Sequence, residues 1–296
     1  MDYVEQVPAV RGFPLNRRIN TVTNTSETGD ASAGRDGVRI AYTLYRNGES
    51  ARRVVLVHSL AMERGFWQPV AERLAADAQV LVYDCRGHGA SAKPAGPYSV
   101  EQFADDLAGL LDHVAWKSAL VAGASMGGCV SLAFAAAYPA RTDALGLLDT
   151  TACYGAEAPK QWAERAERAL TNGMAELVDF QKTRWFGDAF RASHPDIVAN
   201  SVKVFLANDV PAYAASCRML GACDLRAALP SIKAPTAIVV GEEDYATPIA
   251  MAEAMQRGVA GSTLTVLKGA RHLTPLEQPE RIADELKALL LRVVLA

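Results

Sequence analysis

The sequence is poor in cysteine, and its cysteines follow no metal-binding or disulfide pattern. The 296 residues include five, an odd number without a C-x-x-C pair, and they are Cys85, Cys129, Cys153, Cys217 and Cys223. Free thiols in a reducing compartment explain such a set, so we expect neither a disulfide nor a metal site.

Long apolar runs and an excess of positive charge are also lacking. The first residues contain no apolar run of about 7 to 15 residues, which a signal peptide needs, and nowhere do about 18 apolar residues follow one another. A formal net charge of -3 offers no basic surface to nucleic acid or to an anionic membrane. We therefore expect a cytoplasmic protein that binds neither nucleic acid nor a membrane.

Short apolar stretches alternate with helical patterns along most of the chain. Ser99 and Gln102 form the capping box of one such helix. Strands that alternate with helices at this spacing predict right-handed crossovers, and hence an α/β fold with a mainly parallel sheet flanked by helices. The strand patterns occupy residues 38–46, 53–60, 79–84, 118–122, 144–149, 236–240 and 263–267.

The alternation is interrupted after the fifth strand pattern, and helical patterns alone follow until the sixth. We interpret residues 152–233 as a helical cap inserted before the last two strands, and residues 37–151 together with 234–296 as the core. Residues 1–36 form an N-terminal extension. Its stretch of small polar residues at 20–36 is expected to be mobile.

Ser125 lies at the centre of a G-x-S-x-G pattern at residues 123–127. An apolar strand precedes the pattern and a helix follows it, which is the context of a nucleophile elbow. Such a turn strains its central residue and lifts that side chain clear of the sheet. A glycine-rich turn that binds a phosphate is the alternative, but G-x-G-x-x-G with an acidic residue about 20 positions later is missing.

A serine nucleophile needs a base and an acid that orients the base, and in such folds they follow the serine in the order acid, then histidine. Asp244 follows the strand pattern at 236–240, and His272 follows the last strand pattern. Asp149 and Glu243 are alternative acids. His88 is an alternative base, although its place in a turn favours a structural role.

The tetrahedral intermediate of an acyl transfer also needs hydrogen-bond donors for its oxyanion. We expect one to be the backbone N–H of Met126, the residue after the nucleophile. The other should come from the loop that follows the strand pattern at 53–60, and the N–H of Leu60 is our candidate. A loop without this role is the alternative for that stretch.

With these residues in place, the chain resembles the α/β-hydrolase fold superfamily over nearly all of residues 38–296, and within it the 3-oxoadipate enol-lactonases. The stretches that carry the resemblance are His58-Ser59-Leu60, Phe66-Trp67-Gln68-Pro69, Asp84-Cys85-Arg86-Gly87-His88-Gly89, Arg184-Trp185-Phe186 and His272-Leu273.

The resemblance implies a hydrolase that acts on a small molecule without a cofactor. Ser125 would attack the carbonyl of a lactone, His272 would take the proton, and Asp244 would hold the imidazole. A lactone of this kind carries a free carboxylate. Our candidates for substrate contacts in and near the cap are Arg184 and Arg218, which would bind the carboxylate, and Trp67 and Trp185, which would wall the pocket.

Three other functions fit the same residues. A carboxylesterase and a hydrolase that cleaves C–C bonds in ring-cleavage products would use the same serine, histidine and aspartate. A ligand-binding homologue without catalytic activity would keep the fold, but an intact set of Ser125, Asp244 and His272 argues against it. Fold alone does not choose among substrates.

Overall fold

The alternating patterns fold into an eight-stranded sheet in a computed structural model that describes residues 25–48 and 50–293. The strand order is β1-β2-β4-β3-β5-β6-β7-β8; β1, β2 and β4 pair antiparallel, and the neighbours from β4 to β8 pair parallel. The strands are β1 (Thr25–Ala33), β2 (Val38–Arg46), β3 (Arg53–Val57), β4 (Gln79–Tyr83), β5 (Ala119–Ala124), β6 (Thr142–Leu148), β7 (Thr236–Gly241) and β8 (Thr263–Leu267).

Eleven α-helices connect and cover these strands in the part of the chain that the structure describes. The predicted capping box is present: the Gln102 N–H donates to Ser99 Oγ, and the Ser99 N–H donates to the Gln102 side chain. The helices are α1 (Gln68–Leu74), α2 (Val100–His113), α3 (Met126–Ala137), α4 (Ala158–Asn172), α5 (Val178–Trp185), α6 (Asp188–Ser193), α7 (Pro195–Leu206), α8 (Val210–Ala222), α9 (Ile249–Gly258), α10 (Thr274–Glu277) and α11 (Pro279–Leu290).

The core lies on both sides of the central strands. Every residue of β5 and of β7 is buried, which explains their continuous apolar sequences. Helices α4 to α8 lie between β6 and β7 in the chain, and α4 packs along α8. The predicted fold class is therefore confirmed, including the helical insertion before the last two strands.

The expectation of a mobile stretch at residues 20–36 is wrong for its described part. β1 pairs with β2 along its whole length, from Thr25 opposite Arg46 to Ala33 opposite Val38. Most of its residues are exposed, so its sequence is polar, and only Ala31 and Ala33 are buried. Residues 20–24, like the rest of the predicted extension before them, lie outside the described residues.

All five cysteines are free in the structure. Within residues 25–48 and 50–293, none of the helices has both the length and the apolar character needed to cross a bilayer.

Candidate active site

Ser125 occupies a strained turn between β5 and α3. Its φ is +53° and its ψ is -115°, because the chain reverses from strand to helix within one residue. The turn needs close contact with β3: a Cβ on Gly127 would lie 2.1 Å from the carbonyl oxygen of Val57. The Ser125 N–H donates to the Leu148 carbonyl at 2.9 Å, and its own carbonyl accepts from Thr150 Oγ1 at 2.7 Å. The backbone that carries the hydroxyl is therefore held in place.

Ser125, His272 and Asp244 form a continuous chain of hydrogen bonds. Ser125 Oγ lies 2.9 Å from His272 Nε2, and His272 Nδ1 lies 2.8 Å from Asp244 Oδ2. All three side chains are buried. They come from the loops that follow β5, β7 and β8, whose carboxyl ends meet at one edge of the parallel sheet.

The surroundings of Asp244 favour its ionised form. Burial alone would raise the pKa of Asp244, but the charge of His272 and the hydrogen bonds from His272 and Thr247 outweigh it and lower that pKa. Asp244 Oδ1 accepts from the N–H groups of Ala246 and Thr247 at 2.7 and 2.9 Å. A carboxylate fixed in this way keeps the proton of the neutral imidazole on Nδ1 and leaves Nε2 free to accept the serine proton.

The alternative acids and the alternative base have other partners. Glu243 pairs with Arg271 at 2.9 Å on the surface. The carboxylate of Asp149 accepts from Gly241 and Thr274 instead of from an imidazole. His88 donates from Nδ1 to a backbone carbonyl at 3.0 Å, and burial, followed by the neighbouring His58, lowers the pKa of His88 to about 3.

The two predicted oxyanion donors belong to residues near Ser125. Met126 is the first residue of α3, so its N–H has no carbonyl within the helix. Leu60 lines the cavity next to Ser125. Within the described part of the chain, neither N–H donates a hydrogen bond to a protein acceptor. Both are therefore available to a ligand.

The cavity next to Ser125 is small: it leaves about 20 Å³ to a water-sized sphere, room for about one water molecule. Arg184 and Trp185 line it, as predicted. The carbonyl of Trp185 also accepts from the N–H groups of His272 and Leu273, both at 3.1 Å, and so ties the cap to the histidine loop.

Two of the predicted substrate contacts lie away from this cavity. Trp67 is fully buried in the core, where it packs edge-on against Phe66, and it does not line the cavity. Arg218 is exposed on the outer side of α8 and pairs with Glu167 at 2.5 Å. The sequence pattern does not distinguish a core tryptophan from a pocket tryptophan, nor an outward-facing arginine from an inward-facing one.

Five cavity residues were not predicted as site residues: Ser59, Tyr154, Trp162, Arg165 and Gln181. Arg165 lies over the ring of Trp162, with its guanidinium carbon 4.9 Å from the ring centre, and its Nε donates to Tyr213 at 2.7 Å. Trp162 and Arg165 are three residues apart on α4, which puts them on one helix face. The spacing of three residues between a tryptophan and an arginine is therefore the signal that the sequence contains for this pair.

Arg165 and Arg184 place two positive charges at the cavity. Burial, followed by the charge of Arg165, lowers the pKa of Arg184. Among the described residues, no carboxylate forms an ion pair with either arginine. Both arginines, with Tyr154 and Trp162, also line an outer pocket of about 440 Å³ between the cap and the loop after β7. The wall between the two spaces therefore suits an anionic group.

Comparison with known proteins confirms the resemblance to α/β-hydrolases and to 3-oxoadipate enol-lactonases. A sequence model described as the alpha/beta hydrolase family matches residues 54–285. The chain belongs to this family. It is a hydrolase, and the relatives of this α/β-hydrolase include enzymes that act on small molecules.

The most similar relatives include enol-lactonases and an esterase. The 3-oxoadipate enol-lactonase 2 of Acinetobacter baylyi is 31% identical over 239 residues, which cover 81% of this chain and 88% of the relative. The crystal structure of the enol-lactonase from Burkholderia xenovorans has a TM-score of 0.85 at 32% identity and covers 89% of this chain and 100% of its own. A thermophilic esterase from Thermogutta terrifontis, solved with malate bound, has a TM-score of 0.84 at 30% identity and covers 90% and 99%.

Proposed function

We propose that this α/β-hydrolase opens small lactones or cleaves small carboxylic esters through an acyl-enzyme, with Ser125 as the nucleophile. The observation that carries the proposal is the unbroken chain of hydrogen bonds from Asp244 through His272 to the hydroxyl of Ser125. A serine is activated by an imidazole that accepts its proton and by an ionised acid that orients the imidazole.

The reaction has two halves. Ser125 Oγ attacks the carbonyl carbon while His272 Nε2 takes its proton, and the N–H groups of Leu60 and Met126 hold the oxyanion. When the intermediate collapses, the C–O bond to the ring or alkoxy oxygen breaks, and His272 returns its proton to that oxygen. In a lactone the released hydroxyl stays attached to the acyl group. Water, deprotonated by His272, then attacks the acyl-enzyme and frees the acid and Ser125.

We further propose that the substrate carries a free carboxylate, as an enol-lactone of the 3-oxoadipate type does. Arg184 and Arg165 face the catalytic cavity without an acidic partner among the described residues, so an anionic group would relieve their mutual repulsion. A carboxylate between them would direct the neighbouring carbonyl towards Ser125. The relationship to enol-lactonases supports this substrate class.

The proposal is tested by the hydrolysis of a substrate panel by the wild-type enzyme and by the Ser125→Ala variant. The panel contains an enol-lactone with a carboxylate, a saturated lactone, p-nitrophenyl acetate and butyrate, and a vinylogous diketone. We expect the enol-lactone to be opened fastest and the variant to lose about three to six orders of magnitude in kcat. The control is an unchanged unfolding temperature, since the substitution removes one oxygen atom.

The pattern of activity separates the alternatives. Ester cleavage without lactone opening would make the protein a carboxylesterase, and turnover of the diketone alone would make it a C–C bond hydrolase. A wild-type enzyme that reacts with a fluorophosphonate at Ser125 but turns over no substrate would contradict the proposed lactone and ester chemistry. Retention of more than a few per cent of the activity by Ser125→Ala would rule out the serine mechanism.

A further inference from the structure

Asp149 is a fully buried carboxylate that the reaction above does not use. It follows β6 directly and adopts a positive φ of +46°, which is uncommon for a residue other than glycine. Its N–H donates to the Val239 carbonyl of β7 at 2.9 Å. The backbone of Asp149 is therefore fixed between the two central strands, and its side chain points towards the edge of the sheet that carries the catalytic groups.

The two oxygens of Asp149 bind two different loops. Oδ1 accepts from the N–H of Gly241 at 3.1 Å. Oδ2 accepts from the N–H of Thr274 at 3.1 Å and from Thr274 Oγ1 at 2.6 Å. Gly241 begins the turn of the acid, because its carbonyl accepts from the Asp244 N–H at 3.1 Å. Thr274 comes two residues after His272 and begins α10.

We propose that Asp149 is a positioning residue that holds the loop of Asp244 and the loop of His272 in register. The inference rests on the proposed function, in which His272 and Asp244 act on Ser125. The side chain of Asp149 joins the start of the Asp244 loop to the end of the His272 loop, so a shift of either loop would break hydrogen bonds to a buried group. Asp149 touches none of the reacting atoms.

Stability alone does not account for a carboxyl group at this position. Burial, followed by the charge of Asp244, raises the pKa of Asp149 well above its ordinary value. An acid placed beside a second buried acid costs folding free energy, and a hydrophobic residue of similar size would avoid that cost. Three hydrogen-bond donors converge on Asp149, which indicates that the site requires these hydrogen bonds.

The substitution Asp149→Asn tests this role because it keeps the shape and replaces one acceptor oxygen with a donor. We expect kcat to fall about 10- to 100-fold with little change in KM, since a displacement near 1 Å is enough to slow an aligned reaction by such a factor. The low-field Nδ1–H resonance of His272 should move upfield as its hydrogen bond to Asp244 lengthens. Asp106→Asn is the control, because Asp106 is equally buried but pairs with Arg86 at 2.6 Å. That variant should lose stability and keep the wild-type resonance.

A second pair of variants applies if Asp149→Asn does not fold. Thr274→Val removes the hydroxyl that binds Asp149 and should lower kcat several-fold, whereas Thr274→Ser keeps the hydroxyl and should restore it. Wild-type kcat and an unmoved His272 resonance in Asp149→Asn, or equal kcat in the two Thr274 variants, would overturn the inference. The resonance needs no substrate. A shifted resonance in a protein whose wild type hydrolyses nothing would therefore contradict the proposed function and leave the positioning role intact.

Discussion

Arg165 and Arg184 line the cavity next to Ser125, and the preference for anionic substrates that we propose for them can be measured at each residue. We predict that Arg165→Met and Arg184→Met each lower kcat/KM for a lactone or ester with a free carboxylate about 10- to 100-fold, because a hydrogen bond to a charged group contributes about 1.5 to 3 kcal/mol. The methyl ester of the same substrate should be hydrolysed at nearly the wild-type rate. Steady-state kinetics on the two substrates measures the difference.

Arg218→Met is the matched control for this prediction. Arg218 lies on the same cap and undergoes the same substitution, but it is exposed and already paired with Glu167. Its kinetics should remain those of the wild type on both substrates. An equal loss of activity towards the carboxylate and its methyl ester in Arg165→Met or Arg184→Met would mean that the arginines support the cap rather than bind the substrate.

The sequence predicts the three residues of the proposed catalytic set, but it does not predict which side chains of the cap line the cavity. Ser125, Asp244 and His272 each follow a strand, and the loops of a parallel sheet bring them together. The direction in which a helix of the cap turns its side chains depends on packing between helices. Arg165 therefore faces the cavity while Arg218 faces outwards, although both lie on cap helices.

Helix α3, which follows Ser125, approaches β3 so closely that Gly127 has no room for a side chain. A Cβ there would lie 2.1 Å from the Val57 carbonyl oxygen and 2.7 Å from that of His58. We predict that Gly127→Ala lowers the free energy of unfolding by about 3 kcal/mol or more, because α3 must move off the sheet. Urea denaturation measures the change.

Gly65→Ala is the control for the close approach, since its Cβ would meet its nearest neighbour, the carboxylate of Glu63, at an ordinary 3.5 Å. This variant should stay within about 0.5 kcal/mol of the wild type. Similar losses for Gly127→Ala and Gly65→Ala would show that contact with β3 does not fix α3.

Seven of the eight strands have a clear pattern in the sequence, and the reasons for the exception are physical. β1 is an edge strand with one solvated face, and its residues TSETGDASA are as polar as those of a loop. Helix α8 has no clear helical period for the opposite reason: nine of its residues are buried, so it lacks the polar face that gives a helix its period. Both elements depend on partners that are distant in sequence.

Two buried histidines make the free energy of unfolding of the protein depend on pH. His58 and His88 lie edge to face, with ring centres 5.1 Å apart. Burial is the main cause that lowers the pKa of His58 to about 4 and of His88 to about 3. The unfolded chain takes up protons below about pH 6.5 while these folded imidazoles stay neutral, so their contribution to stability is lost as the pH falls.

We predict that His88→Gln makes unfolding less sensitive to acid. Between pH 7 and pH 5 the wild type should lose about 2 kcal/mol more than the variant, at about 1.4 kcal/mol for each pH unit below the unfolded value. Burial raises the pKa of Asp106 to about 6 in spite of Arg86. Protonation of Asp106 therefore adds to stability as the pH falls, but it does so equally in the wild type and in the variant. Chemical denaturation at several pH values tests this. Parallel curves for the two proteins would contradict it.

The order of the strands along the chain also affects when the site can form during translation. Ser125 and His272 are 147 residues apart in the chain, and all five cap helices are translated between them. Residues up to β6, including the turn of Ser125, leave the ribosome first, whereas the proposed base lies in a loop after β8, the last strand in the chain. Pairing between residues so far apart in the chain is slow. In the mechanism proposed above, Ser125 of the growing chain is therefore without its base until β8 has docked.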